Sequence, residues 1–187
     1  MAGRRETLKR RVKLQGLTPI MFDRYPGDNK TELMPEQKMY FGKDGGLIIP
    51  SANLLSFLCA VNTRSAVRMF YDSKVSGAFA QAVLSAVLVE PFDIPLMRDG
   101  EQIEFTEFGE NGINLHRAVA RVKKGIPNPK ERPVVELPWD VEFDMTLFPS
   151  DEVDETAVRL LFEKGGTAIG LGTYRGVYGK FEVAEWK

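Results

Sequence analysis

Residues 139–148, WDVEFDMTLF, alternate without a break: Val141, Phe143, Met145 and Leu147 against Asp140, Glu142, Asp144 and Thr146. Successive side chains on a strand point to opposite faces, so this stretch reads as a strand with one buried and one wet face. The run PSDEVDETAVRLLFEKGG then reads as a helix. Ser150 or Asp151 can cap it, acids in its first turn suit the positive end of the helix, and Gly165-Gly166 can close it in a left-handed turn. Val153, Ala157, Leu160 and Leu161 form its inward stripe. A glycine-rich loop follows, then a last strand from Lys180 to Val183. The unit is strand–helix–loop–strand, and no internal repeat of fixed period accompanies it.

The front of the chain has the same ingredients. Residues 7–17, TLKRRVKLQGL, form a strand with Leu8, Val12 and Leu14 on one face and Lys9, Arg11 and Lys13 on the other. Turn chemistry fills Thr18 to Thr31, and short strands at 37–41 and 46–49 flank GKDGG. Pro50-Ser51-Ala52-Asn53 opens a helix with Ser51 as its cap and Leu54, Leu55, Leu58 and Val61 at helical spacing. A second helix covers 74–84, and 86–98 returns to strand. Residues 99–138 differ: turns at Asp99-Gly100, Asn111-Gly112 and Gly125, and four prolines from Pro127 to Pro138, mark a β-hairpin excursion from the core.

A chain of 187 residues fits one domain. With 25 basic and 26 acidic residues it has no global bias towards a polyanion, so such a partner needs a local patch. Cys59 is the only cysteine; in LLSFLCAV it reads as a buried thiol, and one cysteine with one histidine leaves little material for zinc. No metal and no cofactor is expected. No apolar stretch reaches membrane length, and MAGRRETLKRR lacks a signal-peptide core, so a cytoplasmic protein with no membrane partner is expected.

Six glycines between Gly165 and Gly179 need a reason, because glycine loses the most backbone freedom on folding. A dinucleotide loop follows a strand and opens a helix; this loop does the reverse, and Arg175 stands where that motif wants glycine. Two readings stay open. The glycines shape a tight helix-to-strand turn, or they let a nucleic-acid backbone approach, with amide hydrogens on phosphates, Tyr174 and Tyr178 stacking bases, and Arg175 and Lys180 neutralising charge.

The helix followed by GGTAIGLGTYRGVYGKFEV resembles the C-terminal glycine-rich loop of the RAMP superfamily, the ferredoxin-like RNA-binding proteins of CRISPR effector complexes. VKLQGLTPIMFD followed by GGLIIPSANLLSFLCA is similar to the superfamily's strand, proline, small polar residues and first helix, with Leu54, Leu55 and Phe57 where the family carries a glycine or basic position. RAVARVKKGIPNPKERPVVELPWDVEF is similar to phage-encoded proteins of unknown role. The resemblance covers about two-thirds of the chain. It implies an α+β fold: a modified ferredoxin-like (RRM-like) antiparallel sheet, helices on one face, a single domain over 1–187, and 99–138 as a thumb-like hairpin arm. It also places Ser51 and Asn53 at the ligand, and implies a repeating backbone subunit in a homo-oligomer or multi-subunit complex.

Between His116 and Arg132 lie six cations, Arg117, Arg121, Lys123, Lys124, Lys130 and Arg132, against one acid, Glu131. They are expected phosphate contacts, or the solvated surface of a hairpin. Lys13, with Arg4, Arg5, Lys9, Arg10 and Arg11, is a second basic wall or a solvated strand face. No catalytic residue is assigned: His116 reads as a non-catalytic residue at the arm's base, and Asp23 and Asp28 as turn residues. The function expected is a non-catalytic subunit gripping single-stranded nucleic acid, RNA favoured. The alternatives are a metal-dependent or histidine-based endoribonuclease using Asp23 or His116, and a phage structural or protein-interaction module.

Overall fold

The computed structural model describes residues 6–28, 30–60, 64–121 and 127–187, apart from the side chains of 120, 121, 127 and 128. Strand β1 (Leu8–Gly16) is followed by the two-residue β2 (Ile20–Met21), a 3-10 turn at Pro35–Lys38 and β3 (Ile48–Pro50). Helices α1 (Ser51–Cys59), α2 (Ala66–Phe70) and α3 (Ser73–Ala86) come next, then β4 (Val87–Glu90), β5 (Asp93–Arg98) and β6 (Glu101–Gln102). The hairpin strands β7 (Ile113–Arg121) and β8 (Pro127–Val135) precede β9 (Asp140–Leu147), α4 (Glu155–Ala168) and β10 (Phe181–Trp186).

Seven strands form the main sheet in the order β10-β1-β9-β5-β3, with β4 also on β9 and β6 on β5. Reduced to β1, helices, β4, β9, α4 and β10, the spatial order is fourth-first-third-second, all antiparallel, which is the ferredoxin-like arrangement. Cross-strand pairs Val12–Phe143 and Leu14–Val141 put the apolar face of β1 and β9 beneath the helices. Their fully buried neighbours include Phe57, Phe162 and Phe181. Cys59 lies in this layer, and burial pushes its thiol up to about 11, so it is a packing residue.

In β9 Val141, Phe143, Met145 and Leu147 are buried as expected, but Thr146, expected on the wet face, is buried as well. Other details differ from expectation, each for a local reason. Ser51 is the first residue of α1 and not its cap: Pro50 holds the cap position, where no side-chain hydrogen bond is made. Asp154, not Ser150 or Asp151, caps α4, its carboxylate accepting from the Ala157 N–H at 2.7 Å. Gly165-Gly166 does not end that helix. Both glycines are buried inside it, because a Cβ on Gly165 would lie 2.6 Å from the Phe57 ring and one on Gly166 2.5 Å from the Phe181 carbonyl oxygen. The buried stripe is accordingly Val158, Leu161, Phe162, Gly165 and Gly166, and Leu160 is exposed. Residues 37–41 form part of a 3-10 turn and an isolated bridge, since Pro35 starts a turn and Phe41 alone pairs with Leu47. Ile20–Met21, expected within a loop, pairs with β8.

The arm is a second sheet, β2-β8-β7, with β7 and β8 paired from Ile113–Val135 to Arg121–Pro127. Pro129 and Pro133 lie opposite Val119 and Leu115. The Glu131 carbonyl accepts from Lys38 Nζ at 2.6 Å, and the Pro133 carbonyl from the Phe22 N–H at 3.0 Å, so these groups turn away from β7. Arg98 ties the arm's base to the main sheet. Its guanidinium donates to the carbonyls of Pro138 (2.9 Å), Glu136 (2.6 Å) and Asn111. Arg98→Ala is expected to cost about 2 kcal/mol, the size of a lost set of charge-assisted bonds partly open to water. Amide hydrogen exchange across 113–135 should accelerate while β1 and β9 stay protected; equal protection of the arm in the variant would refute the tether.

Candidate nucleic-acid interface

The glycine-rich loop, residues 170–179, is folded against its own chain. Gly170, Gly172 and Gly179 all have φ between 70° and 80°. A Cβ on Gly170 would meet the Gly179 carbonyl oxygen at 2.6 Å; one on Gly172 would strike the Met21 carbonyl, and one on Gly179 the Leu171 carbonyl. The close backbone that these glycines accommodate is therefore the protein's own. The amides follow suit: Leu171 N–H donates to the Gly179 carbonyl at 2.8 Å, Thr173 to Met21 at 2.8 Å, Gly176 to Ile169 at 2.7 Å and Gly179 to Pro19 at 2.7 Å. Lys180 N–H donates to Thr18 Oγ1 at 2.9 Å. These donors face inward, so the expectation that they meet phosphates is corrected for them.

The fixed loop presents two rings. Tyr174 has φ 54°, a left-handed conformation that a bulky residue rarely adopts, and is 62% exposed. Its ring lies 6.0 Å from that of half-buried Tyr178, which also meets the His116 imidazole on β7 at 5.9 Å. Loop and arm thus share one row of rings, with centroid spacings inside the range of interacting aromatic pairs. Arg175 serves the loop: its guanidinium donates to the Arg64 carbonyl at 2.9 Å and the Gly172 carbonyl at 3.3 Å, and burial pulls its pKa down. Lys180 is half-buried, and its ammonium has no ion pair among the described residues.

Register sorts the cations of the arm. Directly opposed residues share a face. His116 opposes Arg132 and Ala118 opposes Lys130, which puts Arg132 and Lys130 on the face that meets Tyr178. Arg117 opposes Glu131 on the other face and pairs with it at 2.6 Å. Arg121 closes β7, and its side chain, like Lys123 and Lys124, lies outside the described residues.

Three expected contacts sit elsewhere. Lys13 is on the open face of the main sheet, 3.2 Å from Asp140, beside Arg11, which bonds Glu142 at 2.6 Å and Asp144 at 3.0 Å. The acids of β9 therefore offset Arg11 and Lys13 among the described residues; Arg4 and Arg5 of the expected basic wall lie outside them. Ser51 is buried, with its N–H on the Phe92 carbonyl at 2.8 Å, which leaves it no surface for a ligand. Asn53 is half-buried in the first turn of α1. Conversely, the sequence offers His116 as a residue at the arm's base or as the base of an endoribonuclease, not as a partner of the loop's rings. Its contact with Tyr178 spans the chain and left no local signal.

No protein-family model matches the chain, and no curated protein matches its sequence. Among solved structures it is similar to a chain in the cryo-EM structure of the Type III-B Cmr-beta complex bound to cognate target RNA, at 13% identity and a TM-score of 0.63 over 97% of this chain. The chain spans 60% of that chain's length. At this identity the likeness is one of fold: α+β, a ferredoxin-like sheet with helices on one face and a hairpin arm. No helix among the described residues is long and apolar enough to cross a membrane.

Proposed function

We propose that this chain is a non-catalytic nucleic-acid-binding subunit that grips single-stranded RNA where the arm meets the glycine-rich loop. The observation that carries this reading is the row Tyr174, Tyr178 and His116, flanked by Lys130 and Arg132 on the same face of the arm. Unpaired bases stack on exposed rings whatever their sequence, and adjacent cations hold the phosphates. The glycines make the loop compact and rigid and leave the ligand to the side chains. The fold shared with a Cmr-beta chain, in a complex bound to target RNA, supports RNA as the ligand and a multi-subunit CRISPR-type assembly as the setting. Repetition of the subunit along the RNA belongs to the same proposal, with residues 99–138 as its thumb-like insertion.

Fluorescence anisotropy with one labelled sequence as single-stranded RNA, single-stranded DNA and RNA duplex tests it. The single strands should bind at low salt and weaken as salt rises, RNA should bind more tightly than DNA, and the duplex should bind poorly because its bases are already stacked. The paired substitution Lys123→Ala/Lys124→Ala should lower affinity. Absence of binding to any single strand at low salt overturns the reading.

A further inference from the structure

Arg132 has a neighbour that the binding role does not require. Met21 opposes Val134, and the Phe22 N–H continues the ladder onto the Pro133 carbonyl at 3.0 Å. The next residue, Asp23, therefore falls beside Arg132, and its Oδ2 accepts from Arg132 Nε at 2.7 Å. On the other flank His116 opposes Arg132 and leads to Tyr178. Asp23, Arg132 and His116 thus form one cross-strand row that ends at the rings.

The contact is one-sided. Among the described residues only the Nε of Arg132 is bonded; its two terminal nitrogens have no partner. The side chain is 17% exposed and that of Asp23 27%, so the pair is held in place without being sealed. A guanidinium presents its donors as a rigid planar fork. Gripped along Nε, it has one edge fixed and its terminal edge free for an oxyanion.

We infer that Asp23 is a positioning residue: its carboxylate orients Arg132 so that the terminal guanidinium nitrogens receive a backbone phosphate of a single strand whose base stacks on Tyr178. The inference rests on the proposed nucleic-acid-binding function. It gives Asp23 a task that needs no metal and no bond cleavage. It also explains why a carboxylate sits in a region that must attract phosphate: loss of the acid removes one repulsive charge but releases a flexible cation from its productive rotamer.

The test is a double-mutant cycle on single-stranded RNA affinity, with magnesium-dependent RNA cleavage followed in parallel. Asp23→Ala and Arg132→Ala should each weaken binding about fivefold, the loss of one charge-assisted contact, and the double variant should be no weaker than Arg132→Ala alone. Each should lower the salt slope by about 0.7, the value for one phosphate contact on a single strand. Asp23→Asn, which keeps an oxygen acceptor for Nε, should restore most of the affinity. Arg132→Lys keeps the charge without the fork and should match Arg132→Ala; wild-type affinity in that variant overturns the inference even where Asp23→Ala folds poorly. Tighter binding by Asp23→Ala identifies the acid as a competitor of phosphate, multiplying losses in the double variant show two independent contacts, and cleavage abolished by Asp23→Ala but untouched by Arg132→Ala shows a catalytic carboxylate; each overturns it. Wild-type protein that binds while Asp23→Ala binds equally well removes this inference alone, whereas wild-type protein that binds no single strand removes the function beneath it.

Discussion

Tyr174→Gly is expected to weaken single-stranded RNA binding about tenfold and to leave the melting temperature unchanged or slightly raised. A base stacked on an aromatic side chain contributes about 1–3 kcal/mol, and this ring is the most exposed of the row. The backbone effect runs the other way. At φ 54° a tyrosine carries left-handed strain that glycine does not, so the substitution relieves about 1 kcal/mol and offsets the added freedom of the unfolded chain. Most variants that abolish binding also damage the fold; here the two readouts separate. Tyr178→Ala should bind more weakly still, because it also removes the contact with His116, while Tyr178→Phe keeps the stacking surface. Anisotropy beside thermal melts decides the matter, and a Tyr174→Gly protein with wild-type affinity would remove the ring row from the binding site.

Gly179→Ala should be the most damaging single methyl in the loop, at about 3–5 kcal/mol. Its φ is 70°, and the added carbon would collide with the Leu171 carbonyl, whose own amide is held by Gly179. Neither backbone can move without breaking the pairing that anchors the loop to β10. Strain and overpacking therefore act together. Gly176 is the control: φ is 93°, yet the nearest atom is the terminal nitrogen of Arg64 at 3.4 Å, so Gly176→Ala should cost only about 1–2 kcal/mol. Chemical denaturation of the two variants checks the ordering, and equal losses would show that conformation, not close approach, explains these glycines.

The sequence revealed most where a residue's neighbours in the chain are also its neighbours in energy. In β9 the apolar face follows from parity, so Val141, Phe143, Met145 and Leu147 could be read directly, whereas Thr146 on the other face is buried too. Asp99-Gly100 and Asn111-Gly112 advertised left-handed turns, and all four residues have positive φ. Ile20–Met21 was hidden because a two-residue strand carries no period; only pairing with Val134–Val135, more than a hundred residues away, makes them a strand. Gly165-Gly166 looked like a helix stop because nothing local announces a Phe57 ring pressed on the helix. The loop glycines correctly signalled close approach but not whose backbone approaches. Tyr174 and Tyr178 were legible as candidates, while the alignment of Asp23, Arg132 and His116 emerges only from register across three strands.

The prolines of β8 have a further consequence. Pro129 and Pro133 occupy positions whose backbone groups point to the outer margin of the arm, the side on which Lys38 already takes the Glu131 carbonyl. A margin short of amide donors, with its Glu131 and Pro133 carbonyls already taken, makes a poor template for an incoming chain. Fibril-like growth by lateral recruitment of neighbouring copies is thereby discouraged along β8.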